Sequence, residues 1–275
     1  GLDAYWAQFP GLKERLEGYL GRVAQKLARP GVEIVNLGLV DSPDRAYSAG
    51  REFRRQDVDL IFLHVTTYAL SSTVLPVVRR ANVPVIVLNL APEPAIDYAA
   101  FNALGDRTRM TGEWLAHCAA CPVPEIANVF QRAGLRFHQI TGVLEDDPLC
   151  WREVDAWVEA ARVAAAMNGN RLGLMGHTYG GMLDIQSDVT LQCVTFGTHI
   201  EHLEVDELSA RRRDVGAADI TRRLAEFQSV FDVQPDCPAE DLAEAARTSV
   251  ALDRLVADYR LGSLGYFYKG TGVAE

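Results

Sequence analysis

A glycine-rich turn, GLMGHTYGGM from Gly173 to Met182, is the segment of this sequence best suited to bring backbone close to a ligand. Glycines at a strand-to-helix junction let N–H groups approach an anionic or hydroxylated group, and the helix end that follows favours such groups. From Gly176 the spacing is G-x-x-x-G-G, which is not the dinucleotide fingerprint G-x-G-x-x-G, and no Lys-Ser/Thr follows as in a phosphate-binding loop. Thr178 and Tyr179 stand where a nucleophile elbow needs serine. A glycine-permitted turn without any ligand is the other reading of the same residues.

Cys118 and Cys121 have the C-x-x-C spacing of redox and metal sites, and His117 adjoins them. No second pair lies at zinc-ribbon distance. The segment reads as the interior of an apolar helix, not the helix N-terminus that stabilises a thiolate, so buried structural cysteines are expected. His199 and His202 are three apart beside Glu201 and Glu204, in what reads as a strand-exit loop with no third ligand to name. Polar contacts are expected there, and no metal on this chain. His64 ends a strand, a ligand-facing position in an open α/β sheet, with a core histidine as the alternative. Tyr5 and Trp6 lie in the opening loop, where aromatic rings either stack on a sugar or fill a sheet edge.

The elements that must position these residues follow from apolar periodicity. Leu12, Leu16, Leu20, Val23 and Leu27 fall on one helical face, and Pro30-Gly31 stops that helix. VEIVNLG (32–38), DLIFLHV (59–65) and PVIVLNL (84–90) read as buried, neighbouring parallel strands. Asp41-Ser42-Pro43 opens a helix, and another covers about 70–81. The stretch 91–110 reads as a long loop after a strand end, the place where open α/β sheets bind ligands. FHQITGVL (137–144) is a strand. Pro148 then opens a helix, capped by Asp146 or Asp147 and closed by Asn168-Gly169, with Trp151, Val154, Trp157 or Val158, Ala161 and Ala165 as its buried stripe. Beyond it RLGLMG (171–176) and TLQCVTFG (190–197) read as strands, with helices at about 217–231 and 238–259. The expected fold is α/β, as two doubly wound, mostly parallel-sheet domains, 1–145 and 146–275. GLDAYWAQF reads as a loop after a preceding strand, and LGSLGYFYKGTGVAE as a strand cut short.

Composition narrows the function classes. In 275 residues, 27 Lys and Arg face 37 Asp and Glu, for a net charge of −10, which disfavours a general binder of phosphate backbones. The local exception, Arg211-Arg212-Arg213 with Arg222 and Arg223, reads as a solvated helix face. No run of 18 apolar residues offers a membrane span. Five scattered cysteines and no signal-peptide pattern point to a reducing, cytoplasmic setting.

Three strings, in this order, resemble the N-terminal and central domains of the L-arabinose isomerase family, which is related to the L-fucose isomerases. They are GLDAYWAQFPGLKERL (1–16), LIFLHVTTYALSSTVLPVVRRANVPVIVLNL (60–90), and GLMGHTYGGMLDI (173–185) with its downstream TFG. The resemblance implies an aldose–ketose isomerase using a divalent metal, Mn2+, held by two glutamates and two histidines of a further domain absent from these residues. This chain would then supply the substrate-covering and oligomerisation domains of a homo-oligomer acting on a monosaccharide. Its first loop would cover a neighbouring subunit's site, with Asp3, Tyr5 and Trp6 facing the sugar, and Met182 would follow the central glycine turn. Where the family has a histidine in a His-Gly-Gly-Arg-Glu context, this chain reads DRTRMTGE (106–113), which offers Arg107 and Arg109 and retains Glu113. The alternative is a non-catalytic sugar-binding protein of two α/β lobes. A nucleotide-dependent oxidoreductase is disfavoured by the glycine spacing.

Overall fold

The computed structural model describes residues 1–267. The chain divides into two compact units, Gly1–Arg162 and a second that starts at Val163.

The first unit opens with a short 3-10 turn, Asp3–Tyr5, followed by helix α1, Leu12–Leu27. Leu12, Leu16, Tyr19, Val23 and Leu27 are buried along one side of α1, at spacings of four and three. Helix α2 (Pro43–Arg55) follows, entered through extended Ser42 with proline in its first turn. Strand β1 (Ile61–His64), helix α3 (Leu75–Ala81) and strand β2 (Val85–Ala91) come next. Helices α4 (Tyr98–Ala103), α5 (Arg107–Ala116) and α6 (Val123–Arg132) lead to strand β3 (Phe137–Val143). Helix α7, Pro148–Met167, runs across the division between the units, whereas the sequence placed a boundary near 145.

The sheet order is β1-β2-β3, all parallel, with Ile61 opposite Val85 and Val85 opposite Phe137. Because side chains alternate along a strand, β2 feeds two cores. Ile86, Leu88 and Leu90 join α1, α5 and α7 in one cluster, while Val85 and Val87 join α3 and α6 in the other. Burial on both faces is why β2 reads as a continuous apolar run.

Two parts of the first unit differ from expectation. Residues 32–38 form no strand. Val32 and Ile34 pack against the α1–α7 cluster and Leu37 against α2, so the apolar run reports burial without pairing. The Asn36 side chain accepts the Gly38 N–H at 2.9 Å, and Gly38 adopts φ +74°, which bends the segment out of a ladder. The stretch 91–110 is not one long loop. Asp97 and Asp106 accept N–H groups three residues on, from Ala100 and Arg109, and start α4 and α5.

The second unit holds strand β4 (Arg171–Gly176), helix α8 (Val189–Phe196), strand β5 (His199–Leu203), helices α9 (Val205–Arg213), α10 (Ala217–Val230) and α11 (Ala239–Tyr259), and strand β6 (Ser263–Phe267). Its sheet order is β5-β4-β6, again parallel. A Cβ on Gly173, in the middle strand, would stand 2.7 Å from Leu261 and 2.9 Å from Leu203, so glycine there lets the leucine core close. Of residues 190–197, expected as a strand, 190–196 are helical instead. Asp188 accepts from the N–H groups of Thr190 and Leu191, and Gly197 ends the helix at φ +68°, so caps override β-branched composition. The arginine run is also not uniformly solvated: Arg212 is buried and donates to Glu244 at 3.0 Å, while Arg211 pairs with Asp258 at 2.9 Å. The last part of the expected terminal strand, beyond Phe267, lies outside the described residues.

Leu88 is 0% exposed at the centre of the first core, whereas Leu149 is 72% exposed. Leu88→Ala should lower stability by about 2–5 kcal/mol, and Leu149→Ala by less than about 0.5 kcal/mol, both read from urea unfolding.

Candidate functional site

A parallel sheet delivers all its strand C-termini to one edge, and polar chemistry collects there. At that edge of β1-β2-β3 lies a cavity of about 570 Å3. Arg15, Tyr19 and Arg22 line it from α1, Pro92, Glu93 and Pro94 from the end of β2, and Glu145 and Asp146 from the end of β3.

The charges in this cavity are largely paired. Arg15 donates to Glu113 at 2.6 Å and to the Tyr19 hydroxyl at 2.7 Å. Arg22 stands 3.7 Å from Glu145 and 5.0 Å from the centre of the Tyr19 ring. Burial pushes the Tyr19 phenol above its ordinary range, against the pull of Arg15. The site therefore presents guanidinium edges and carboxylates together, a lining suited to hydroxyl groups that both donate and accept.

Next to β1 the polar groups are not satisfied. Among the described residues, His64 Nδ1 and Thr66 Oγ1 are buried with no partner, whereas Thr67 Oγ1 donates to the Leu115 carbonyl at 2.7 Å. Burial lowers the His64 ring to about 4, and Arg22 acts in the same direction. His64 is therefore neutral around pH 7 and can accept or donate one hydrogen bond without carrying charge.

The first loop is fixed from both sides. Trp6 donates its indole N–H to the Asp41 carboxylate at 2.7 Å, and the Asp3 N–H donates to the Asp41 carbonyl at 3.1 Å. Tyr5 meets Phe9 edge-to-face, with ring centres 5.8 Å apart. Its hydroxyl is raised by burial and then by Cys118 and Tyr68 nearby. Phe9 in turn lies against Gly112 of α5, where a Cβ would stand 3.5 Å from it. The loop and α5 are thus joined by Phe9–Gly112 and, through α1, by Arg15–Glu113.

Among the residues singled out from sequence, Tyr5 is half-buried on this wall, Asp3 is exposed, and Trp6 is committed to Asp41. Arg109 is exposed in the first turn of α5, and its guanidinium has no partner among the described residues. Glu113 is engaged by Arg15. Met182 belongs to the second unit, where it is exposed after the glycine turn, between Gly181 and a 3-10 turn at Leu183–Ile185. In that turn Gly176 has φ +82°, and the rings of His177 and Tyr179 both meet Phe267 edge-on. His199 and His202 lie within β5, not in a loop after it. A separation of three puts them on opposite faces of the strand, and His199 Nε2 is 3.2 Å from Glu201. Among the described residues, no three of His, Cys, Asp and Glu are grouped to hold a metal ion.

Sequence reasoning passed over Arg15, Tyr19 and Arg22. Arg15 and Arg22 flank Tyr19 at spacings of four and three, at the margin of the buried stripe of α1, and that signal was available. No protein-family model matches the chain, and a search of curated proteins finds no similar sequence.

An unfolded chain protonates His64 near 6.5, while the folded one holds it neutral down to about 4. The folded state should therefore lose stability as pH falls across that window, and His64→Gln should flatten the loss, read as urea midpoints over a pH series.

Proposed function

We propose that this chain is the substrate-covering part of a cytoplasmic sugar isomerase that interconverts an aldose and a ketose, in the manner of the L-arabinose isomerases it resembles. The reading includes doubly wound domains, assembly as a homo-oligomer, and sites shared between subunits. The observation that carries it is the wall made where Phe9 against Gly112 joins the opening segment to α5, with Tyr5 half-buried on the first and Asp3 and Arg109 exposed on the two segments. A sugar offers C–H faces to an aromatic ring and hydroxyls to convergent charged groups, and this wall supplies both.

Each residue has a distinct task. The Tyr5 ring packs on the sugar, the Asp3 carboxylate accepts from its hydroxyls, and the Arg109 guanidinium donates to its oxygens. Trp6, pinned to Asp41, holds the loop in place. The described residues do not fit the divalent metal of such an enzyme, since no donor group of the needed size is assembled among them. The reading assigns Mn2+ to a domain outside them, and no step is derived through it.

The full-length protein supplied with Mn2+ should form a ketose from an aldose, detected by chromatography of the sugars. Tyr5→Ala and Arg109→Ala should each lower kcat/KM by about tenfold, equivalent to about 1.4 kcal/mol, without moving the unfolding midpoint. Unchanged kinetics in both variants would remove this wall from the site. Sugar binding without any turnover would make the chain a non-catalytic sugar-binding protein.

A further inference from the structure

We propose that Cys118 and Cys121 form a reversible dithiol–disulfide couple that exchanges electrons with small disulfides such as oxidised glutathione. The proposal stands apart from the isomerase reading and does not depend on what the adjoining wall binds.

The two sulfurs are 2.7 Å apart. A disulfide needs about 2.05 Å, so closure requires a movement of less than an ångström. The pair is not inside a helix, as its sequence suggested. It occupies the turn between the end of α5 at Ala116 and the start of α6 at Val123, where backbone can adjust without breaking a helical ladder. Only Ala119 and Ala120 intervene, so no bulky side chain resists the closure.

Accessibility divides the labour between the two thiols. Cys121 is exposed, whereas Cys118 is 3% exposed and cannot meet a tripeptide disulfide directly. The Cys121 thiolate attacks one sulfur of oxidised glutathione, and the glutathione S–S bond breaks. One glutathione leaves as a thiolate and takes up the proton that Cys121 gave to solvent. Cys118 then loses its proton and attacks the Cys121 sulfur of the mixed disulfide, expelling the second glutathione, which is protonated in turn. Two electrons have passed from the protein pair to glutathione, and two reduced glutathiones result. Burial pushes the Cys118 thiol up to about 12, with the hydrogen bond and charge of Cys121 adding to it. Mixed-disulfide formation removes the Cys121 charge, so the first step eases the second.

Native protein is incubated with oxidised glutathione, alkylated, cleaved with trypsin and weighed by mass spectrometry. Cys118 and Cys121 share the peptide 110–132, and exposed Cys237 reports general oxidation. Wild type should yield 110–132 lighter by two hydrogens, free of alkylation and of glutathione, and restored by dithiothreitol. Cys118→Ser should instead trap glutathione on Cys121, and Cys121→Ser should leave Cys118 unmodified. A stable glutathione adduct on wild-type 110–132, or full alkylation of that peptide where Cys237 is fully modified, would overturn the proposal. The wild-type measurement decides the matter even where a variant fails to fold.

Discussion

Everything in the first unit depends on the parallel ladder that holds Val85–Ala91 between two neighbours. Parallel strands cannot be joined by tight turns, so the chain must cross back over the sheet between them. Those crossings place α3 and α6 with Val85 and Val87, and leave α1, α5 and α7 with Ile86, Leu88 and Leu90. The same ladder sends every strand C-terminus to one edge. Glu93, Glu145 and Asp146 follow the ends of β2 and β3 at that edge, and the buried polar atoms of His64 and Thr66 lie at the end of β1.

The polar edge is held in a state of partial satisfaction. Arg15, Tyr19 and Glu113 bond one another, and Trp6 is bound to Asp41, so the geometry of α1, α5 and the first loop is mutually fixed. His64 and Thr66 are left with buried atoms that nothing in the described chain engages. Such groups are uncommon, because each one loses its water and gains no replacement.

Legibility from sequence followed burial and capping. Strand β2 was readable because both of its faces are covered, so apolar residues dominate its run. The helices α1, α7, α10 and α11 were readable because their apolar stripes repeat at helical spacing. Residues 32–38 carry the same apolar signal without a ladder, since composition records burial and says nothing about whether a strand lies alongside. Residues 190–197 failed for the opposite reason: Asp188 and Gly197 outweigh valine and threonine, and the caps lie just outside the apolar run. At the site, Tyr5 and Trp6 stood out as aromatics in a loop. The cavity-lining residues of α1 did not, because its leucines dominate the periodicity.

The pairing of β1 with β2 and of β2 with β3 also orders events in time. Ile61 must find Val85, and Val85 must find Phe137 across a stretch of chain roughly twice as long. Closing the longer loop costs about 0.6 kcal/mol more chain entropy. The shorter crossing through α3 is thus the cheaper nucleus, and it exposes one edge of β2 until α4, α5 and α6 have been threaded across. A chain emerging residue by residue would reach β1-α3-β2 well before Phe137 exists to pair. β2 is apolar apart from Asn89, so the interval before β3 docks is when this protein is most prone to associate with another unfinished copy of itself.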